Sequence, residues 1–135
     1  MRYLCLGFHE DAKWAAISNS ERDALMEETL AYIDVLRAGG HVIDQQALQG
    51  VNTATTLRFE KGKASVTDGP FAETKEQLGG IILLEASDLN HAIQLLSKMP
   101  CMGMGGSIEI RPINEQLTQS LNGDSHEVHA ANLHG

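Results

Sequence analysis

The chain is short of several things that would announce a function. It has two cysteines in 135 residues, Cys5 and Cys101, too few and too far apart for a disulfide framework or a metal-ligand spacing. Both are expected to be small buried hydrophobes in a reducing, cytoplasmic setting. Basic residues are scarce: ten Lys and Arg stand against eighteen Asp and Glu, for a net charge of −8. Direct nucleic-acid binding needs clustered cations against phosphates, so this balance argues against it. No apolar run approaches the length of a membrane span, and Met1-Arg2-Tyr3 leads to polar residues by His9, unlike a secretory leader. There is no phosphate-cradling glycine loop, no Ser-His-Asp or Cys-His spacing, and no internal repeat. No cofactor and no metal are expected.

What is present fits one soluble domain: 42% hydrophobic and 21% charged residues, in a chain long enough to bury a core without staples. Residues 2–8 are apolar on both faces and read as a central strand. Leu4 and Leu6 are expected beneath the helices, with Tyr3, Cys5 and Gly7 on the other face. Ser18, with Glu21 three residues on, makes a capping box for a helix to about Ala38, stopped by Gly39-Gly40. Met26, Leu30 and Ile33 give its apolar stripe. Residues 41–48 follow as a strand, and residues 53–60 and 63–67 form a hairpin across Lys61-Gly62. Residues 81–85 form another strand. Ser87 or Asp88 caps a second helix along Leu89, Ala92, Ile93, Leu96 and Met99, which Pro100 ends. Residues 103–106 read as a glycine linker into a last strand, 107–111.

The order strand–helix–strand–strand–helix–strand is the split βαβ arrangement, a ferredoxin-like α+β fold with an extra hairpin. Ile108 and Ile110 join Leu4 and Leu6 under the helices in this reading. Tyr3, Arg58, Glu109 and Arg111 then share the helix-free face, which needs another layer. A second copy of the chain is the economical one. From Asn114 the pattern dissolves, so residues 1–113 are expected to be the domain and 114–135 a flexible tail. His126, His129 and His134 in that tail have no second ligand set to orient them as a metal site.

One stretch stands out between the hairpin and the next strand: Asp68-Gly69-Pro70-Phe71-Ala72-Glu73-Thr74-Lys75-Glu76-Gln77-Leu78-Gly79-Gly80. Asp-Gly-Pro is strong turn chemistry, and a carboxylate on such a turn is held more firmly than one on a loose loop. Asp68 is either a cap for its own loop or an acid–base group with Pro70 and Phe71 as a dry flank. His9, ending the first strand, is a candidate proton carrier. Phe71, Lys75 and Glu76, with Tyr3, Arg58 and Arg111, are candidate substrate contacts. The blander and favoured reading of Lys75 and Glu76 is a solvated, ion-paired loop or short helix.

This stretch resembles the signature of the DGPF group of the YCII-related family, and the likeness extends from the first strand to Ser107-Ile108-Glu109-Ile110-Arg111-Pro112. The resemblance implies a ferredoxin-like dimer of the dimeric α/β-barrel type. Members with a His and an Asp have been suspected of catalysis, and some resemble partners of sigma factors. The first helix here carries no histidine to match. Two classes of function follow. One is a cofactor-free isomerase or lyase using Asp68. The other is a non-catalytic regulatory domain binding a small ligand or a protein, linked to transcription initiation through a sigma factor.

Overall fold

In the computed structural model, residues 1–123 are described. In chain order they form β1 (Arg2–His9), α1 (Asp11–Ala16), α2 (Asn19–Ala38), β2 (Val42–Ala47), β3 (Thr55–Glu60) and β4 (Lys63–Asp68). These are followed by β5 (Gln77–Glu85), α3 (Leu89–Leu96), β6 (Ser107–Pro112) and α4 (Glu115–Leu121). Four strands make one antiparallel sheet in the order β2-β5-β1-β6. Each βαβ crossover leaves room for one strand of the other, so the fold is the ferredoxin-like split βαβ. The β3–β4 hairpin is a separate two-stranded sheet.

Local chemistry explains the boundaries. Ser18 accepts a hydrogen bond from the Glu21 backbone N–H at 3.1 Å and opens α2. At the far end, Gly40 takes φ 80°, which a side chain would resist. For α3 the cap is Asp88, which accepts from the His91 N–H at 2.8 Å. Ser87 instead donates to the His91 Nδ1 through its backbone N–H at 3.0 Å. The hairpin turn puts Lys61 at φ 50° and Gly62 at φ 76°, the two positive angles that match the twist of paired strands.

The core lies between one sheet face and the two long helices. Tyr3 and Cys5 are buried in it with Ile33 and Leu36 of α2, Leu84 of β5, and Ala92 and Leu96 of α3. The Tyr32 hydroxyl donates to the Leu95 carbonyl at 2.6 Å and ties α2 to α3.

Two sequence expectations are corrected here. Leu4 and Leu6 are not under the helices; Tyr3 and Cys5 are, at 2% and 1% exposure. The register decides this: Cys5 lies opposite Ile110 and Leu4 opposite Arg111, and paired residues share a face. Ile110 therefore brings Cys5 into the core, and Leu4 goes out with Arg111. Alternation alone could not choose, because both faces of β1 are apolar. Tyr3 is thereby separated from Glu109 and Arg111, and Arg58 lies in the other sheet altogether.

The second correction concerns the region after Asn114, read above as unstructured. Asn114 accepts from the Leu117 N–H at 2.9 Å and opens α4. The three tail histidines lie outside the described residues. Among the described residues no helix is long and apolar enough to cross a membrane.

Candidate active site

The helices do not close completely over the sheet. At the end where β1 stops, a cavity of about 430 Å³ opens between the covered face, α2 and the segment after α3. Pockets for small molecules run roughly 300–1,000 Å³. Cys5, Ile82 and Ile108 supply sheet-side wall, and Met26, Leu30 and Ile33 the α2 side. Met26 and Leu30 are therefore about half exposed although they belong to the apolar stripe of α2. A 3-10 turn, Pro100–Met104, takes in the first two residues of the expected linker 103–106, and Cys101, Met102 and Met104 from it complete the wall. Methionine adapts its shape to whatever it packs against, and sulfur favours aromatic edges.

Burial disfavours the thiolate at both cysteines on this wall. Burial pushes Cys5 up from 9.0 to about 11. Burial also raises Cys101, against a smaller opposing pull from a hydrogen bond with Thr29. Reactive cysteines need the thiolate, which an apolar pocket disfavours. Among the described residues no group of three or more His, Cys, Asp and Glu is placed to hold a metal ion.

Charge gathers at the cavity mouth. His9 ends β1, Asp11 begins α1, and His9 Nε2 stands 2.8 Å from Asp11 Oδ1. With Asp11 accepting from Nε2–H, the neutral imidazole carries its lone pair on Nδ1, the state a general base needs. Nδ1 has no hydrogen-bond partner among the described residues. Glu10, which also lines the mouth, lies 3.6 Å from Lys13 Nζ and 3.8 Å from Lys75 Nζ.

The glycine pair that closes the Asp68–Gly80 stretch explains how this arrangement fits. The β1–β5 register shifts between Gly7 and Phe8, so that Gly7 faces Gly80 while Phe8 faces Leu78. Gly79 is the residue bulged between them. A Cβ on Gly79 would lie 2.5 Å from His9 Cε1 and 2.6 Å from Nδ1, so the imidazole occupies the space a side chain would need. A Cβ on Gly80 would meet the Gln46 carbonyl oxygen at 2.9 Å, so that glycine admits β2. At Gly7 the same addition would meet only the Gly80 oxygen, at an ordinary 3.7 Å.

The residues singled out from sequence separate into four places. His9, Lys75 and Glu76 come to the mouth end of the sheet; Glu76 Oε1 accepts from the Ser107 hydroxyl at 3.0 Å and pins the second half of the loop. A shallow second cleft there is bordered by Glu10, Lys75, Glu76 and Glu109. Asp68, Arg58 and Phe71 stay with the hairpin. Arg58 donates to the Phe71 carbonyl at 2.7 Å, and Phe71 itself is 76% exposed. Asp68 is the last residue of β4, exposed, and lines neither cavity. The loop is capped by other groups: the Gly69 N–H donates to the Ala54 carbonyl at 2.8 Å and the Thr56 hydroxyl to the Gly69 carbonyl at 2.7 Å. Tyr3 is in the core and Arg111 is exposed on the helix-free face.

Sequence reasoning missed Asp11, Glu10 and the methionine wall. The available signal was His9-x-Asp11 at a strand-to-helix junction, together with three methionines in residues 99–104.

The YCII-related domain profile matches residues 1–116. An uncharacterized protein of Rhizobium meliloti (strain 1021) is 32% identical over 114 residues, covering 84% of this chain and 92% of that protein. Among solved structures, 5-chloro-2-hydroxyhydroquinone dehydrochlorinase (TftG) from Burkholderia phenoliruptrix AC1100, in complex with 2,5-dihydroxybenzoquinone, aligns at 15% identity and a TM-score of 0.48. That alignment covers 86% of this chain and 98% of the other.

Proposed function

Since the chain belongs to the YCII-related domain family, we propose that it is a homodimeric, cytoplasmic small-molecule-binding protein. Its reaction is a cofactor-free proton transfer of the isomerase or lyase kind. The observation that carries this reading is the His9–Asp11 hydrogen bond at the mouth of an otherwise apolar cavity of about 430 Å³. A ligand there buries an apolar body against the methionines and presents a polar end to His9. Asp11 fixes the imidazole tautomer, leaving His9 Nδ1 to take a proton; an isomerisation returns it elsewhere on the same molecule, and an elimination hands it to the departing group, which leaves with the electron pair of its broken bond. Such a step needs no redox partner, since a proton leaves one atom and arrives at another. Lys13 and Lys75 add positive charge at the rim for a weakly acidic group.

Asp68 is the other seat for acid–base chemistry, and a pair of variants separates the two. His9→Ala is expected to abolish turnover and keep ligand affinity within a few-fold, whereas Asp68→Asn leaves both unchanged. The ligand comes from native mass spectrometry of the protein purified without denaturation. A ligand that still turns over at the wild-type rate in His9→Ala rules out the histidine. The regulatory alternative, with a sigma factor as partner, has one observation on its side: the hairpin exposes an apolar face.

A further inference from the structure

The β3–β4 hairpin is uncovered on both sides. Leu57 lies opposite Val66 and Phe59 opposite Ala64, so these four share one apolar face. Leu57, Phe59 and Val66 are 52%, 75% and 68% exposed. A lone two-stranded ribbon is marginal in water, and a ribbon whose apolar face is wet is worse off still. The same chain has a second apolar surface, half-buried and with no helix over it. On the helix-free face of the large sheet, Leu4 pairs with Leu83 and Leu6 with Ile81, a block of four in the two central strands. Asp44 and Glu109 flank it on the neighbouring strands, with Arg111 beside Glu109.

Charge points to what these surfaces meet. Three of the ten basic residues, Arg58, Lys61 and Lys63, fall within the hairpin tip, residues 58–63, against the single carboxylate Glu60, in a protein with net charge −8. A basic tip on an acidic body attracts another copy of that body. We propose that the hairpin is an arm that lays its Leu57, Phe59 and Val66 face on the Leu4, Leu6, Ile81 and Leu83 block of a second copy. The proposal rests on the homodimer reading and adds to it. A two-fold exchange covers both arms and both sheet faces at once, since what one copy lends it also receives. The basic tip sets the orientation of the exchange.

The test uses the full chain. Phe59→Lys with Val66→Lys alters two side chains that touch little within their own copy, so the monomer keeps its fold and its far-UV circular dichroism. Sedimentation equilibrium should show the dimer dissociation constant raised by about 30-fold or more, as expected for residues central to an interface. A photoreactive benzoyl-phenylalanine at position 59, in a mixture of isotopically heavy and light copies, should give heavy–light crosslinks into β1 or β5. A dimer unchanged by the double substitution, or crosslinks confined to the same copy or to α2 and α3, overturns the arm and leaves the dimer reading standing. A wild-type protein that stays monomeric at micromolar concentration overturns both.

Discussion

Two antiparallel ribbons of this chain each carry an apolar face, in opposite surroundings. The β1–β5 pair is roofed by α2 and α3 on one face, and Leu84 within it is completely buried. The β3–β4 pair alternates apolar and polar residues as a half-buried strand should, yet Phe59 is 75% exposed. Alternation makes a ribbon amphipathic; only a partner makes it buried. The structure therefore has two unfinished places with different needs. The cavity beside His9 is small and enclosed by methionines, which suits a small molecule. The hairpin face is broad and open, which suits a macromolecular surface.

The sharpest contrast lies in what truncation costs. Leu84→Ala is expected to destabilise the fold by about 2–5 kcal/mol, the range for emptying a packed core site. Phe59→Ala removes a larger side chain from the hairpin and is expected to cost the isolated monomer only about 0.5 kcal/mol or less. Urea unfolding of both variants, under conditions that keep the protein monomeric, measures the difference. Similar losses would mean that the hairpin is covered within its own chain.

Alkaline pH reaches the core side and leaves the hairpin alone. The Cys5 thiol is held neutral by burial, with its value raised from 9.0 to about 11. Below pH 9 both folded and unfolded chains keep the proton and this stabilisation is fully present. Between pH 9 and 11 the unfolded chain loses its proton first, so stability falls as the pH rises. A shift of that size corresponds to roughly 2–3 kcal/mol. Stability curves of the wild type and Cys5→Ala should differ in slope across that window and run parallel below it.

The glycines sharpen the comparison inside the site. Gly79→Ala pushes against the His9 ring and is expected to cost about 1–3 kcal/mol while displacing the imidazole from Asp11. Gly7→Ala meets nothing closer than 3.7 Å, so its effect on stability is expected to be about 1 kcal/mol or less. It places a methyl group on the cavity floor, and its effect should appear in ligand affinity. Thermal melts beside binding isotherms separate the two. Smallest of all is Asp68→Asn, an exposed carboxylate without a side-chain partner, expected within about 0.5 kcal/mol of wild type.

Much of the fold was legible because local signals agreed with one another. Ser18, the Gly39-Gly40 stop and the Lys61-Gly62 turn all act where the residues placed them. The face of β1 was not legible. Leu4-Leu6 and Tyr3-Cys5 are both apolar, and only the register against Ile110 and Leu84 assigns them. The helical segment after Asn114 was hidden by its polar composition. The Asp68–Gly80 stretch reaches the cavity end of the sheet through its last residues, not its first. Gly79 houses His9, and Lys75 reaches Glu10. The His9–Asp11 pair went unseen because two residues that close in sequence read as a loop until a strand end and a helix start turn them toward each other. Residues 103–106 looked like a linker because their glycines drew attention from the methionines around them.

The central claim is that the working site is the cavity beside His9 rather than the hairpin with Asp68. Its most direct test is a methyl-detected NMR screen of small, largely apolar compounds on protein labelled at methionine methyls and histidine rings. Binders should shift Met26, Met99, Met102 and Met104 together with the His9 ring, and His9→Ala should keep the methyl shifts. Binders that leave those methyls unmoved and perturb instead the backbone of residues 66–72 would contradict the account.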